Sequence, residues 1–247
     1  IFNKKNSYFD IDAKNFLSIE RCITDFKPNI VINAIGITKK IASKRNQNEC
    51  NVINSELPIK LAEFSDKIIF KLIHLSTDCV FSGNKGQYSE TDPTDCNDIY
   101  GISKVNGEID GKKNVLTLRK STIGFEIGET KHGLLEWVLS MKGTIYGYKK
   151  AVFSGVTTLE LSKIIEFIIL NNIKIYGIWH IASEPISKYD LLKKIQTLFI
   201  KDDLTILSDE NYVCDRSLRS LKFDKFIKYV IPTWDQMLKE LMIDYNK

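Results

Sequence analysis

The sequence predicts an α/β protein built on a doubly wound parallel sheet, with a smaller α/β lobe in its C-terminal half. Three observations carry this. Helical and strand-like apolar patterns alternate through the first half of the chain. The strand candidates are short, continuous apolar runs, as in strands buried on both faces, and each opens into a polar turn. Tyr100 and Lys104 stand four apart at the start of a helical stretch, which places them one turn apart on one face. A chain of 247 residues is long enough for one large domain, or for a domain with an appendage.

Residues 15–26 carry Phe16, Ile19, Ile23 and Phe26 as a helical stripe that ends at Lys27-Pro28. Ile30-Val31-Ile32 reads as a buried parallel strand that opens into the loop Asn33-Ala34-Ile35-Gly36. A polar stretch, 38–50, precedes a helical pattern over about 52–64. The β-rich run 68–75 then ends at Ser76-Thr77-Asp78. Residues 83–97 are a polar loop, Tyr100 opens the next helix, and 115–118 is another strand.

From Gly124 the pattern loosens. Residues 134–141 read as a helix. Thr157-Thr158-Leu159-Glu160 is a capping box for a helix to Leu170, and Ser187-Lys188-Tyr189-Asp190 caps one to about Ile200. A strand over 178–182 lies between them, and 235–244 closes the chain as a helix. The expected organisation is a partial dinucleotide-binding domain over 1–125. A mainly substrate-binding lobe over 126–247 is interleaved with it, without a flexible linker.

Composition excludes several classes. The net charge of +4 is slight, and Lys is interleaved with Asp and Glu, so no nucleic-acid surface is indicated. The five cysteines are scattered, with no C-x-x-C pair and no His at ligand spacing. That predicts a reducing cytoplasm and neither a disulfide framework nor a metal site. No apolar run is long enough to span a membrane and no signal peptide is seen.

Ligands of open parallel sheets bind at the carboxyl ends of the strands. Asn33-Ala34-Ile35-Gly36, Ser76-Thr77-Asp78 and the stretch after Arg119, with Ser121 and Thr122, all fall at such ends. An ammonium one turn from a phenol favours the phenolate, which makes Tyr100 a proton donor to a carbonyl oxygen, with Lys104 as its charge partner. The Thr77 hydroxyl is a second donor to the same oxygen. Proton donation to a carbonyl oxygen is the chemistry this set predicts. A chance Tyr-x-x-x-Lys pair is the bland alternative, weakened by the upstream Ser-Thr-Asp and the downstream Gly107-Glu108.

The run STDCVFSG, then Tyr88 and Glu90, then YGISK and Gly107-Glu108, resembles the extended short-chain dehydrogenase/reductase superfamily. Within it the chain resembles the dTDP-4-dehydrorhamnose reductase branch, from Asp12 to the closing Pro232-Thr233-Trp234 and its helix. That resemblance implies a Rossmann-like fold and NADPH or NADH as cofactor. It implies reduction of a 4-keto group on a nucleotide-activated deoxy sugar, in surface polysaccharide or O-antigen precursor synthesis. It also implies a nucleotide-sugar substrate, with a homodimer as the candidate assembly. By the same resemblance Lys104 also binds the nicotinamide ribose, Asp12-Ala13 lies near the adenine, and Asn33, Ala34, Ile35, Gly36, Asn54 and Ser76 lie along the cofactor. An Asp at position 12 can equally cap the following helix, and Asn33 and Asn54 can equally satisfy loop carbonyls. For the substrate, Thr77, Asp78, Ser121, Thr122, His132 and Trp137 are the candidates, with Arg216 of Asp215-Arg216-Ser217-Leu218-Arg219 near the diphosphate. An aromatic on a helix is more often core, and Arg216 and Arg219 are not separated by the sequence.

The resemblance departs at the front. Family members open with a strand and a Gly-x-x-Gly-x-x-Gly turn that holds the pyrophosphate, whereas Gly36 is the first glycine here. About a strand, a helix and another strand are missing, which leaves two expectations: a fragment, favoured by the retained Thr77-Tyr100-Lys104 set, or a natural protein that lost cofactor binding. Either way the chain as it stands is expected to hold a dinucleotide poorly and to have apolar surface laid open. A nucleotide-sugar epimerase, which keeps its cofactor through a full cycle, and a non-catalytic binding subunit of the same fold are the rivals. A dehydratase is disfavoured, because Thr77 is followed by Asp78-Cys79 and not by an Asp-Glu pair.

Overall fold

A computed structural model describes residues 8, 11–44, 47–126 and 133–245. The chain divides into two compact units. The first comprises Ile1–Ser76, Asn97–Leu118 and Ile175–Ile178. The second comprises Thr77–Cys96, Arg119–Lys174 and Trp179–Lys247. The segments 77–96 and 119–125, expected in the dinucleotide-binding part, fall in the second unit.

In the first unit, α1 (Phe16–Phe26) leads to β1 (Ile30–Asn33), followed by α2 (Lys39–Ala42), α3 (Gln47–Asn51) and α4 (Leu57–Lys67). Next come β2 (Lys71–Leu75), α5 (Ile99–Asn106) and β3 (Val115–Arg119). β1 pairs with β2 and β2 with β3, both in parallel; Val31 stands opposite Leu72, and Ile73 opposite Leu116. The sheet order is β1-β2-β3-β8, where β8 is Gly177–His180. This is the predicted parallel α/β sheet. β2 starts three residues later than the sequence predicted, because α4 runs on to Lys67 and Ile69 is left exposed.

One core underlies these helices. Ile23, Leu57, Leu61, Phe64, Phe70 and Leu72 are buried together, with Phe16, Ile19 and Val31 packed against them. Phe64 meets Phe16 and Phe70 edge-on, at 6.2 and 6.3 Å between ring centroids. Phe26 does not join the stripe and is exposed. Ten residues beyond Phe16 at 100° per residue it has rotated about 80° off the buried face.

The helix expected from about 52 begins earlier, at Gln47, and is interrupted by a π-turn over Val52–Glu56. Pro58 has no N–H to offer, and the Leu57 N–H bonds back five residues to the Val52 carbonyl. The bulge turns Ile53, Asn54 and Ser55 into the interior. Gly107, at the C-terminus of α5, lies against this bulge. A Cβ there would come within 2.0 Å of the Asn54 carbonyl oxygen.

The second unit holds the helices expected in the C-terminal half together with short strands and one helix that the sequence did not indicate. After β4 (Thr122–Ile123) and α6 (Leu134–Ser140) come β5 (Gly143–Tyr148), β6 (Ala151–Phe153), β7 (Val156–Thr157) and α7 (Thr158–Leu170). β8 is followed by β9 (Ile186–Ser187), α8 (Lys188–Leu198), β10 (Leu204–Asp209), β11 (Cys214–Asp215), α9 (Leu221–Phe226) and α10 (Trp234–Tyr245). β5 pairs in parallel with β10, β4 with β7, and β6 lies between β11 and β9. The N-cap half of each expected box forms: Thr157 Oγ1 accepts from Glu160 N at 3.2 Å, and Ser187 Oγ from Asp190 N at 3.0 Å. Among the described residues the return bonds to the cap amides do not, since Glu160 Oε1 accepts from the Tyr229 hydroxyl and Asp190 Oδ2 from Ser187 Oγ. No described helix is long and apolar enough to cross a membrane.

Gly107→Ala should destabilise the protein by about 1–3 kcal/mol, the usual cost of an overpacked contact. Urea unfolding of the two proteins checks this; an unchanged midpoint would show that α5 and the bulge are not in close contact.

Candidate active site

In the first unit the candidate residues gather where β1 and β2 end. Asp98 caps α5, its Oδ1 accepting from Gly101 N at 2.9 Å, and its other oxygen pairs with Lys39 Nζ at 2.6 Å. The cap fixes where α5 begins, and therefore where Tyr100 and Lys104 stand on it. Lys104 is buried, 4% exposed, and its Nζ donates to the Leu75 carbonyl oxygen at 2.8 Å. Ser76 Oγ donates to Glu108 Oε1 at 2.6 Å, which gives the Gly107-Glu108 pair two tasks: close packing and anchoring the end of β2.

At the end of β1, Asn33 Oδ1 accepts from Ile35 N, and its Nδ2 faces His74 Nδ1 at 3.1 Å. An amide nitrogen can only donate, so Nδ1 is the acceptor and the ring proton sits on Nε2. Asn54 is fully buried in the bulge. It accepts from Ile37 N at 2.8 Å and donates to Ile37 O and Ser103 Oγ. These two asparagines hold the turn Ala34-Ile35-Gly36, which is exposed.

In the second unit, Thr77 caps a single 3-10 turn, Asp78–Val80. Its Oγ1 accepts from Cys79 N and donates to Asp78 Oδ1, both at 3.1 Å. Asp78 is 6% exposed and forms part of the wall of a cavity of about 370 Å³. Ser121, Trp137, Lys188 and Arg216 share that wall, with an aromatic side made by Tyr146, Tyr148, Phe153 and Tyr212. A cavity of this size with apolar sides and few charged groups has the form of a small-molecule site. Among the described residues the only hydrogen bond of the Arg216 guanidinium runs from Nε to the Phe81 carbonyl at 2.8 Å, which leaves its other N–H donors for a ligand. Burial holds the Lys120 ammonium below the ordinary lysine range, against a raising influence from Asp78.

The rest of the motif is scaffolding for that wall. Phe81 stacks on Tyr88 at 4.1 Å, and the Tyr88 hydroxyl accepts from Gly83 N and Lys85 N. Glu90 Oε1 accepts from the backbone N–H groups of His180 and Lys222. Gly86, at a φ of +73°, lies against Asp215, whose carboxylate would meet an added Cβ at 2.3 Å. Asp215 Oδ1 in turn accepts from both Ser217 N and Ser217 Oγ.

The sequence model of the RmlD substrate binding domain matches residues 3–245. The chain belongs to that family. It is 30% identical to dTDP-4-dehydrorhamnose reductase of Aggregatibacter actinomycetemcomitans over 196 residues, 74% of this chain and 65% of that protein. Over 93 residues it is 37% identical to the dTDP-4-dehydrorhamnose reductase of Burkholderia thailandensis, 37% of this chain and 31% of that one. The chain thus spans less than two thirds of these curated relatives. In fold it is similar to the crystal structure of dTDP-4-dehydrorhamnose reductase from Bacillus anthracis in complex with NADP, at a TM-score of 0.81 and 20% identity, covering 98% of this chain and 89% of that one. The ortholog from Clostridium acetobutylicum gives 0.82 and 20%, covering 96% and 88%.

In this member of the RmlD substrate-binding domain family, the predicted residues fall into groups. Asn33, Ala34, Ile35, Gly36 and Asn54 come together at the end of β1, and Ser76 and Lys104 at the end of β2. Asp78, Ser121, Trp137 and Arg216 share the cavity. Thr122 does not line it; its Oγ1 accepts from Lys120 Nζ at 3.2 Å. Asp12 is exposed and its Oδ1 closes a turn onto Lys14 N, while Ala13 packs on the core. His132 lies outside the described residues. Arg219 is not in the cavity wall. Lys188 and the tyrosines were missed; the alternation in Ile145-Tyr146-Gly147-Tyr148, with Ile145 and Gly147 buried, was the signal for the latter. No group of three or more His, Cys, Asp or Glu that could hold a metal is present among the described residues.

His180 behind this wall predicts a pH effect. Burial first, then the nearby Arg119 charge, depresses its pKa to about 3, while its Nδ1 contacts the Arg219 carbonyl at 3.1 Å. Between pH 6.5 and 3 the unfolded chain binds a proton there that the folded chain does not, so stability falls as the pH falls. The slope reaches about 1.4 kcal/mol per pH unit for one proton. Urea midpoints measured at neutral pH and near pH 4 should fall less steeply in His180→Gln; an equal fall would remove His180 as the cause.

Proposed function

We propose that the protein reduces the 4-keto group of a nucleotide-activated deoxy sugar with NADPH or NADH, in the cytoplasm, in the supply of precursors for surface polysaccharide. The observation that carries this reading is Lys104, buried and fixed on the Leu75 carbonyl one helical turn from Tyr100, in a chain whose relatives are named dTDP-4-dehydrorhamnose reductases. The cavity supports it: aromatic surface, two basic side chains and Asp78 suit a nucleotide-linked sugar.

Tyr100 is the proton donor to the carbonyl oxygen. Lys104 holds positive charge beside it, which favours the phenolate left after transfer. The Thr77 hydroxyl donates to the oxygen as charge develops there, exchanging its present bond to Asp78 for one to the substrate. The residues present fit one part of a dinucleotide. Lys104 suits the hydroxyls of the nicotinamide ribose, and the exposed turn Ala34-Ile35-Gly36 lets a flat ligand approach the backbone. Asp12, exposed, is a further contact in this reading, with Asn33, Asn54 and Ser76 supporting the ends of β1 and β2. A reduced nicotinamide, when bound, supplies the hydride that makes the keto carbon an alcohol.

The complete gene product, given NADPH or NADH and a panel of dTDP- and UDP-linked 4-keto-6-deoxy sugars, should lose nicotinamide absorbance with one of them. In Tyr100→Phe the rate should fall by about 10²-fold or more, the usual worth of a positioned proton donor. No loss of absorbance with any sugar, or full activity in Tyr100→Phe, would contradict the reading.

A further inference from the structure

Lys188 breaks a local rule. It is the first residue of α8, where the helix dipole is positive and a cation is disfavoured. It is partly buried in the cavity wall, and among the described residues its Nζ has neither a hydrogen bond nor a carboxylate within salt-bridge distance. Its one described contact is the ring of Phe153, 3.6 Å from Nζ to the centroid. Burial holds its pKa below the ordinary lysine range, and Arg216 adds to that lowering. Asp78, Cys79 and Cys214 act in the other direction without cancelling it. A cation kept at a helix N-terminus, partly buried and with no described carboxylate within salt-bridge distance, is a cost to the fold. Such costs are retained where a ligand repays them.

We infer that Lys188 is the residue by which this cavity reads the diphosphate of its substrate, acting with the free N–H groups of Arg216. The inference rests on the proposed reading of the cavity as the nucleotide-sugar site. The division of labour is chemical. The Arg216 fork, fixed by its Nε on Phe81, gives direction to a pair of phosphate oxygens, and Lys188 adds a point charge that the helix dipole reinforces. An uncharged nucleoside engages only the aromatic side of the cavity, where Tyr148 and Tyr212 lie 5.0 Å apart between centroids. Selectivity for diphosphate over nucleoside therefore resides in Lys188 and Arg216.

Calorimetric titration of the full chain with thymidine and uridine diphosphates, and with the matching nucleosides, tests this beside Lys188→Met and Lys188→Arg. Lys188→Met should weaken binding of the preferred diphosphate about tenfold or more and leave its nucleoside unchanged, while Lys188→Arg keeps most of the preference. Unchanged diphosphate affinity in Lys188→Met overturns the inference and leaves the reading of the cavity intact. Equal weakening of diphosphate and nucleoside also overturns it, since Lys188 would then serve only to pack on Phe153. If the unmodified protein binds none of the four compounds, the inference and the cavity reading fail together.

Discussion

The hydrogen bond from Lys104 to the carbonyl of Leu75 is the constraint on which the arrangement of residues at the end of β2 depends. A buried ammonium must find oxygen acceptors, and the last carbonyl of a parallel strand points beyond the sheet edge and is available. Meeting that need fixes the rotation of α5 about its axis. Once the rotation is set, Tyr100 lies one turn away, Ser103 faces the Asn54 bulge, and Gly107 must be small enough to pass it. Glu108 then reaches Ser76 at the end of β2. One charge buried at one strand end thus accounts for the spacing of five residues that look, in the sequence, like a motif to be memorised.

Where the chain passes from Ser76 to Thr77 the logic changes from helix rotation to loop fixation. The 3-10 turn capped by Thr77 leads to Phe81, which serves twice: its ring stacks on Tyr88 and its carbonyl holds Arg216. Tyr88, Glu90, Gly83 and Gly86 have no evident chemistry of their own. They use backbone hydrogen bonds and tight glycine turns to keep Asp78 and Arg216 in one wall. Preorganisation of this kind lowers the entropy a ligand must overcome on binding.

Legibility in the sequence followed the strength of the local signal. The parallel core, α1, the Thr157 and Ser187 helix caps and the Tyr-x-x-x-Lys face could be read because each rests on a period or a cap within a few residues. The π-bulge could not, since it arises from Pro58 and the missing amide, and its purpose lies in residues 17 and 49 positions distant. The short strands β4, β6, β7, β9 and β11 have two or three residues each, too few to show any period. β5 alternated in burial, but its glycines and tyrosines masked the apolar pattern, and in β10 the outward-facing Leu207 broke the alternation. In the sequence Lys188 reads only as a residue inside a helix cap, and it does follow the N-cap Ser187. Its second role depends on Phe153 and Arg216 and cannot be seen from its neighbours.

Carbonyl reduction at the sugar leaves a trace in the hydrogen it transfers. The complete gene product would be supplied with NADPH or NADH carrying deuterium at the transferable position and with the keto sugar it accepts, and the product would be examined by NMR. Reduction should place one carbon-bound deuterium at the former keto carbon, with one nicotinamide oxidised per sugar. Isomerised sugar without deuterium and without net nicotinamide oxidation would contradict it and identify an epimerase.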